Sequence, residues 1–120
     1  MHCAEIQLDM FAPVFPQQQN VMSLMRPHKW AHGPVGEMTL AVIAVAQHDD
    51  RWMWSASINS SNGAAQSYSP LAKWGNFADS RDEAVSRGSD EIRGVMHRLT
   101  VHEQSRVSDW LGGILSSIHF

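Results

Sequence analysis

Cysteine is almost missing from this chain of 120 residues. Cys3 is the single one, so no internal disulfide can form, and cysteine usage points only weakly to the cytosol. A basic excess is missing as well: 9 Lys and Arg stand against 12 Asp and Glu, a formal charge of −3. A protein that tracks phosphates usually carries the opposite balance, so direct nucleic-acid binding is not favoured. Long hydrophobic runs are absent too. The longest, Leu40 to Ala46, is far too short for a membrane span. The first residues hold neither a basic stretch nor an apolar one, so no signal peptide is expected, and the expected location is a bacterial-type cytoplasm.

Catalytic signatures are the last absence. There is no Gly-x-Ser-x-Gly, P-loop, dinucleotide fingerprint or His-Glu-x-x-His. Seven histidines are present, and His28 and His32 stand four apart. They are surrounded by Pro27, Gly33 and Pro34, with no carboxylate or cysteine at ligand spacing, whereas a zinc site needs three or four ligands. Asp49-Asp50 reads as a solvated turn rather than a dyad. No enzyme, metal or cofactor is expected. A small metal-using enzyme is the alternative of another class, and only the histidine count speaks for it.

Met38 to Ile58 organises what is there. Its first half is a continuous apolar run rich in β-branched residues. Its second half alternates, with Trp52, Trp54, Ala56 and Ile58 on one face and Met53, Ser55, Ser57 and Asn59 on the other. Period two marks a half-buried strand. His48-Asp49-Asp50 then predicts a hairpin with a three- to four-residue loop. The two tryptophans are expected to be core under a helix. Residues 59–69 form a polar loop with Asn62-Gly63 as its turn signal, and 70–77 suggest a third, edge strand.

Two helices are expected to follow. Ser80-Arg-Asp-Glu83 and Thr100-Val-His-Glu103 have the form of capping boxes, which also places a break near residue 100. Ala84, Val85, Ile92, Val95, Met96 and Leu99 make one apolar stripe, with Gly88 on it allowing close approach to the sheet. Val107, Trp110, Leu111, Ile114, Leu115 and Ile118 make a second stripe, expected to be core or a homodimer surface through the C-terminal helix. Gly112-Gly113 inside it is expected to bend the helix. Residues 1–37 hold four of the five prolines and read as an irregular N-terminal arm, with one helical turn at Val21, Met22, Leu24 and Met25. The expected fold class is therefore α+β: a small antiparallel sheet, a hairpin plus an edge strand, packed against two C-terminal helices over residues 38–120. The interleaved charges around the first helix read as an ordinary wet face and argue against nucleic-acid mimicry.

The sharpest local signal lies in the arm. Gln7-Leu8-Asp9-Met10-Phe11 resembles the pentapeptide by which many bacterial proteins dock on the DNA polymerase sliding clamp. All five positions match, with Met10 the less common choice at the fourth. An extended peptide of this kind places Leu8, Met10 and Phe11 in an apolar groove while the Gln7 amide makes directional hydrogen bonds. The competing reading is an edge strand over residues 6–11 with Phe11 as a plug. The stretch from Arg51-Trp-Met-Trp54 to Lys73-Trp-Gly-Asn-Phe-Ala-Asp-Ser-Arg-Asp-Glu-Ala84 is similar to the body of small accessory proteins of phages and plasmids, including small anti-CRISPR proteins of α+β build. That resemblance implies a non-catalytic protein of a mobile element that binds host nucleic-acid machinery. The implied partners are the sliding clamp, a CRISPR effector complex or a restriction enzyme, with no membrane and no binding residue carried over.

Overall fold

The computed structural model describes residues 19–29, 33 and 35–118. Its elements are β1 (Gln19–Lys29), β2 (Val35–His48), β3 (Arg51–Asn59), β4 (Ala65–Gln66), β5 (Phe77–Ala78), α1 (Arg81–Gly94) and α2 (Val101–Ser116). All the strand pairs are antiparallel. β1, β2 and β3 lie side by side in chain order, while β4 and β5 both pair with the outer edge of β3, at its opposite ends. The architecture is α+β, with a meandering sheet followed by two helices.

The expected hairpin is present with a tighter connection than its sequence suggested. Arg51 pairs directly with His48, so Asp49 and Asp50 alone make the turn. Asp49 sits at φ 57°, a left-handed conformation that Asp tolerates better than most residues because its short polar side chain bonds locally. The larger correction concerns the arm. Residues 19–29 form an 11-residue strand, not a helical turn in irregular chain, and the sheet begins well before residue 38. Spacings of three and four fit Val21, Met22, Leu24 and Met25, but alternation fits them equally. Pro27 does not interrupt the strand because, among the described residues, β1 pairs on one side only, and an edge strand has room for a residue without an N–H. The edge strand expected over 70–77 shrinks to β5, preceded by a 3-10 turn at Ala72–Trp74.

Register fixes the two faces. Cross-strand partners share a face, so Met22, Ile43 and Ala56 form one row, and Leu24, Ala41 and Ile58 the next. This face carries the core, where Leu40, Ile43, Val45, Ala56 and Ile58 pack against Val85 and Ile92 of α1 and Val107 and Leu111 of α2. The close approach expected at Gly88 is real: a Cβ there would stand 2.9 Å from Cγ2 of Ile43. Both helix starts are capped as expected. Ser80 accepts from the Glu83 amide, although the Glu83 carboxylate reaches back to the amide of Asp79 and not to that of Ser80. Thr100 and Glu103 form the complete reciprocal box, and a 3-10 turn at Met96–Arg98 separates the helices. Val107 and Leu111 settle the core half of the reading for the second stripe. α2 runs through Gly112-Gly113 without a break.

Trp52 and Trp54 lie on the helix side as expected, but at the flank of the core. Both are half-buried, whereas Met53 on the opposite face is only 2% exposed. β3 is thus covered on both faces in its middle, not half-buried. The indole Nε1 of Trp54 is buried without a hydrogen-bond partner among the described residues. We expect Trp54→Ala to cost about 2 kcal/mol, less than is usual for a fully buried tryptophan. Trp54→Phe should cost less again, because it also removes an unsatisfied donor. Urea denaturation checks both. A Phe variant as weak as the Ala variant would contradict the orphaned N–H.

Candidate functional site

With both helices on one face, the other face of the sheet holds a concavity lined by residues of β1, β2 and β3 and of the chain around β4. Its floor is built by register: Val21, Ala44 and Ser55 stand in one row across β1, β2 and β3, and Val42 stands beside Ser57 in the next. The chain leaving β4 supplies the wall. Residues Ser67 to Pro70 pass beside β3, and Pro70 is fully buried. Together they enclose a cavity of about 330 Å³, at the small end of ligand-binding pockets.

Hydrogen bonds hold the wall at both ends. The Tyr68 amide donates to Oγ of Ser57 at 3.4 Å, and its hydroxyl crosses to the helix layer to donate to Oε1 of Glu91 at 2.7 Å. The Asn76 side-chain amide donates to that hydroxyl at 3.2 Å, and the Gln66 amide donates to the other oxygen of Glu91. The Tyr68 ring also meets Trp74 edge-on at 5.7 Å. Burial, and then the hydrogen bond it donates to the Glu91 carboxylate, push the Tyr68 hydroxyl well above the ordinary phenol range. Tyr68 is therefore a fixed neutral donor, unsuited to proton transfer near neutral pH.

Among the described residues no charged side chain lines the cavity. An ionic ligand group would lose its hydration there without meeting a countercharge. What the site offers is apolar contact from Val21, Val42 and Ala44, and hydroxyls from Thr39, Ser55, Ser57, Ser67 and Ser69. It suits a neutral, partly apolar group.

A second polar cluster lies at the far end of β3. Glu103 is 4% exposed, and its carboxylate accepts from the Ser60 hydroxyl, the Ser61 amide at 2.9 Å and the Thr100 amide at 3.0 Å. Burial raises its pKa, but these donors outweigh burial and bring it down to about 2. Every oxygen is engaged within the fold, so the cluster joins the 60–63 turn to the start of α2 and leaves nothing to hold a ligand.

The candidate docking residues Gln7, Leu8, Asp9, Met10 and Phe11, and His32 of the histidine pair, lie outside the described residues. Asp49 and Asp50 are exposed at the hairpin turn. Among the described residues no three His, Cys, Asp or Glu side chains gather where they could hold a metal ion, and no helix is long and apolar enough to cross a membrane. The cavity residues were not singled out by sequence reasoning. Ser55 and Ser57 read as the wet side of β3, and Tyr68 as part of a polar loop. Their one signal was the small size of Ala44, Ser55 and Ser57 on a shared face, which leaves room above the backbone. No protein-family model, curated protein or solved structure matches the chain.

Proposed function

We propose that this is a non-catalytic binding protein of a mobile element that modulates host nucleic-acid machinery from the cytoplasm, with the bacterial sliding clamp as its target. The observation that carries the reading is the full five-position match at Gln7 to Phe11, which supplies two apolar anchor groups and a directional amide within five residues. The chemistry of the cavity is compatible with it: neutral walls and a tyrosine fixed by Glu91 suit recognition better than proton transfer. The anti-defence reading, with a CRISPR or restriction complex as target, rests on the looser likeness of residues 51–84.

Calorimetry of the full chain with purified clamp tests the proposal. We expect binding in the micromolar range, about −8 kcal/mol. Leu8→Ala with Phe11→Ala should weaken it by more than tenfold, because a few buried anchors carry most of such an interface. The melting temperature should stay unchanged. Absence of heat at clamp concentrations well above micromolar would remove the clamp as target and leave the CRISPR and restriction complexes to be tried. Stoichiometric zinc in the purified protein would overturn the non-catalytic class altogether.

A further inference from the structure

An edge strand offers unpaired N–H and C=O groups to any chain that can align with it, and folded proteins usually blunt such an edge. Among the described residues β1 is blunted along only half its length. Which of its groups point outward follows from the ladder. The Trp54 amide of β3 donates outward to Asn76, so the even residues of β3 face away from β2. Through the pairings Ser55↔Ala44 and Val21↔Ala44, the odd residues of β1 then face away from β2. Two further facts agree. Pro27, which has no N–H, falls on the outward set, and the outward carbonyl of Met25 is taken by the Arg106 guanidinium of α2 at 2.7 Å.

The distal half of the edge is thus closed by Arg106 and Pro27, followed by Lys29, and the register shifts there, between Leu24 and Met25. The proximal half, Gln19 to Leu24, has no charge, no proline and no irregularity. The backbone groups of Val21 and Ser23 have no partner strand among the described residues. Val21 is also 54% exposed.

We propose that this half-edge is the interface with a second copy of the chain, paired antiparallel about a two-fold axis centred on Val21. Self-pairing in that register sets Val21 opposite Val21 and Ser23 opposite Gln19. Cross-strand β-branched pairs are favourable, and an isologous contact needs only a self-complementary patch. Charge selects the same arrangement. Arg26 and Lys29, the charged residues of β1, lie toward one end of it, so the two-fold axis carries the two sets apart, whereas a parallel pairing would stack them. The open faces of the two sheets then run on from each other, and Val21 of each copy borders both cavities. Five residues of pairing, Gln19 to Ser23, make a small interface, so the affinity expected is micromolar and not nanomolar.

Sedimentation velocity of the full chain between about 1 and 200 µM tests this proposal. A monomer–dimer equilibrium in the micromolar range is expected. Ser23→Pro copies the device already present at Pro27, removing an outward N–H without touching the β1–β2 ladder, and should weaken the dimer at least tenfold. Val21→Lys keeps the backbone intact and should do the same by setting two charges face to face. Far-ultraviolet circular dichroism of both variants should match the parent. A chain that stays monomeric throughout would overturn the proposal. So would a dimer that both variants leave unchanged, the result expected if α2 made the contact or if residues 1–18 or another protein's strand occupied this edge.

Discussion

Glu103→Ala is expected to destabilise the protein by about 3 kcal/mol, on the order of 10 °C in Tm. The carboxylate satisfies three donors belonging to two separate parts of the chain: the Ser60 hydroxyl and Ser61 amide beyond β3, and the Thr100 amide at the start of α2. Removing it strands buried donors and deletes half of a capping box, each worth about 1 kcal/mol or more. Glu103→Gln keeps the shape but places an NH2 group where an acceptor is needed, and should recover only part of the loss. The same residue sets an acid limit. Its folded pKa, about 2, lies below its ordinary value of 4.5. A depressed carboxyl contributes its stability in full above the unfolded pKa and loses it as pH falls toward the folded one. Stability should therefore drop between about pH 5 and pH 2, by roughly 3 kcal/mol from this group. The Glu103→Gln variant should show a flatter profile in that window. Parallel acid profiles of parent and variant would show that the carboxylate is not held in this way.

Gly88→Ala is expected to destabilise although alanine is the better helix former. On an open helix face the exchange gains about 1 kcal/mol. At Gly88 the new methyl would lie 2.9 Å from Cγ2 of Ile43, a fully buried β-branched residue paired on both sides, to Met22 and Ala56. Neither the strand nor the rotamer can retreat cheaply, and overpacking of this kind costs 1–3 kcal/mol. A net loss of about 1 kcal/mol is expected for alanine, and roughly 3 kcal/mol for Gly88→Val. Gly112→Ala, where nothing lies within 4 Å of the added carbon, should move stability the opposite way by up to about 1 kcal/mol. Ile43→Ala introduced with Gly88→Ala should cost less than the two single changes added, because it removes the clashing methyl. Equal and favourable effects at Gly88 and Gly112 would mean that α1 sits farther from the sheet.

The parts that were legible in the sequence are those with a local physical cause. Alternation from Trp52 to Ile58 is a property of one strand, and the Ser80 and Thr100 boxes each lie within four residues. β1 was not legible, because Val21, Met22, Leu24 and Met25 satisfy two periodicities and Pro27 excludes a strand only where its N–H would be needed. The cavity was less legible still. Its wall is held by Tyr68 to Glu91, 23 residues apart, and Glu103 reaches Ser60 across 43. Serines that read as solvent-facing became a lining because distant chain was drawn over them. The docking signal at Gln7 to Phe11 lies outside the described residues, so its role rests on the binding experiment.

The bond from Arg106 to Met25 spans 81 residues, and it has a meaning for biosynthesis. The strands pair with their chain neighbours, so the hairpins complete early, as local contacts generally do. The layer that covers Met22 and Leu24 comes from the far end of the chain. At 5–20 residues per second, a ribosome needs on the order of 4 to 16 seconds to make that stretch. For this interval the nascent sheet stands with the apolar side of β1 uncovered and its Met25 carbonyl uncapped. Slow translation of the last third of the message would lengthen that exposure and favour capture by chaperones, or by neighbouring chains, over native closure.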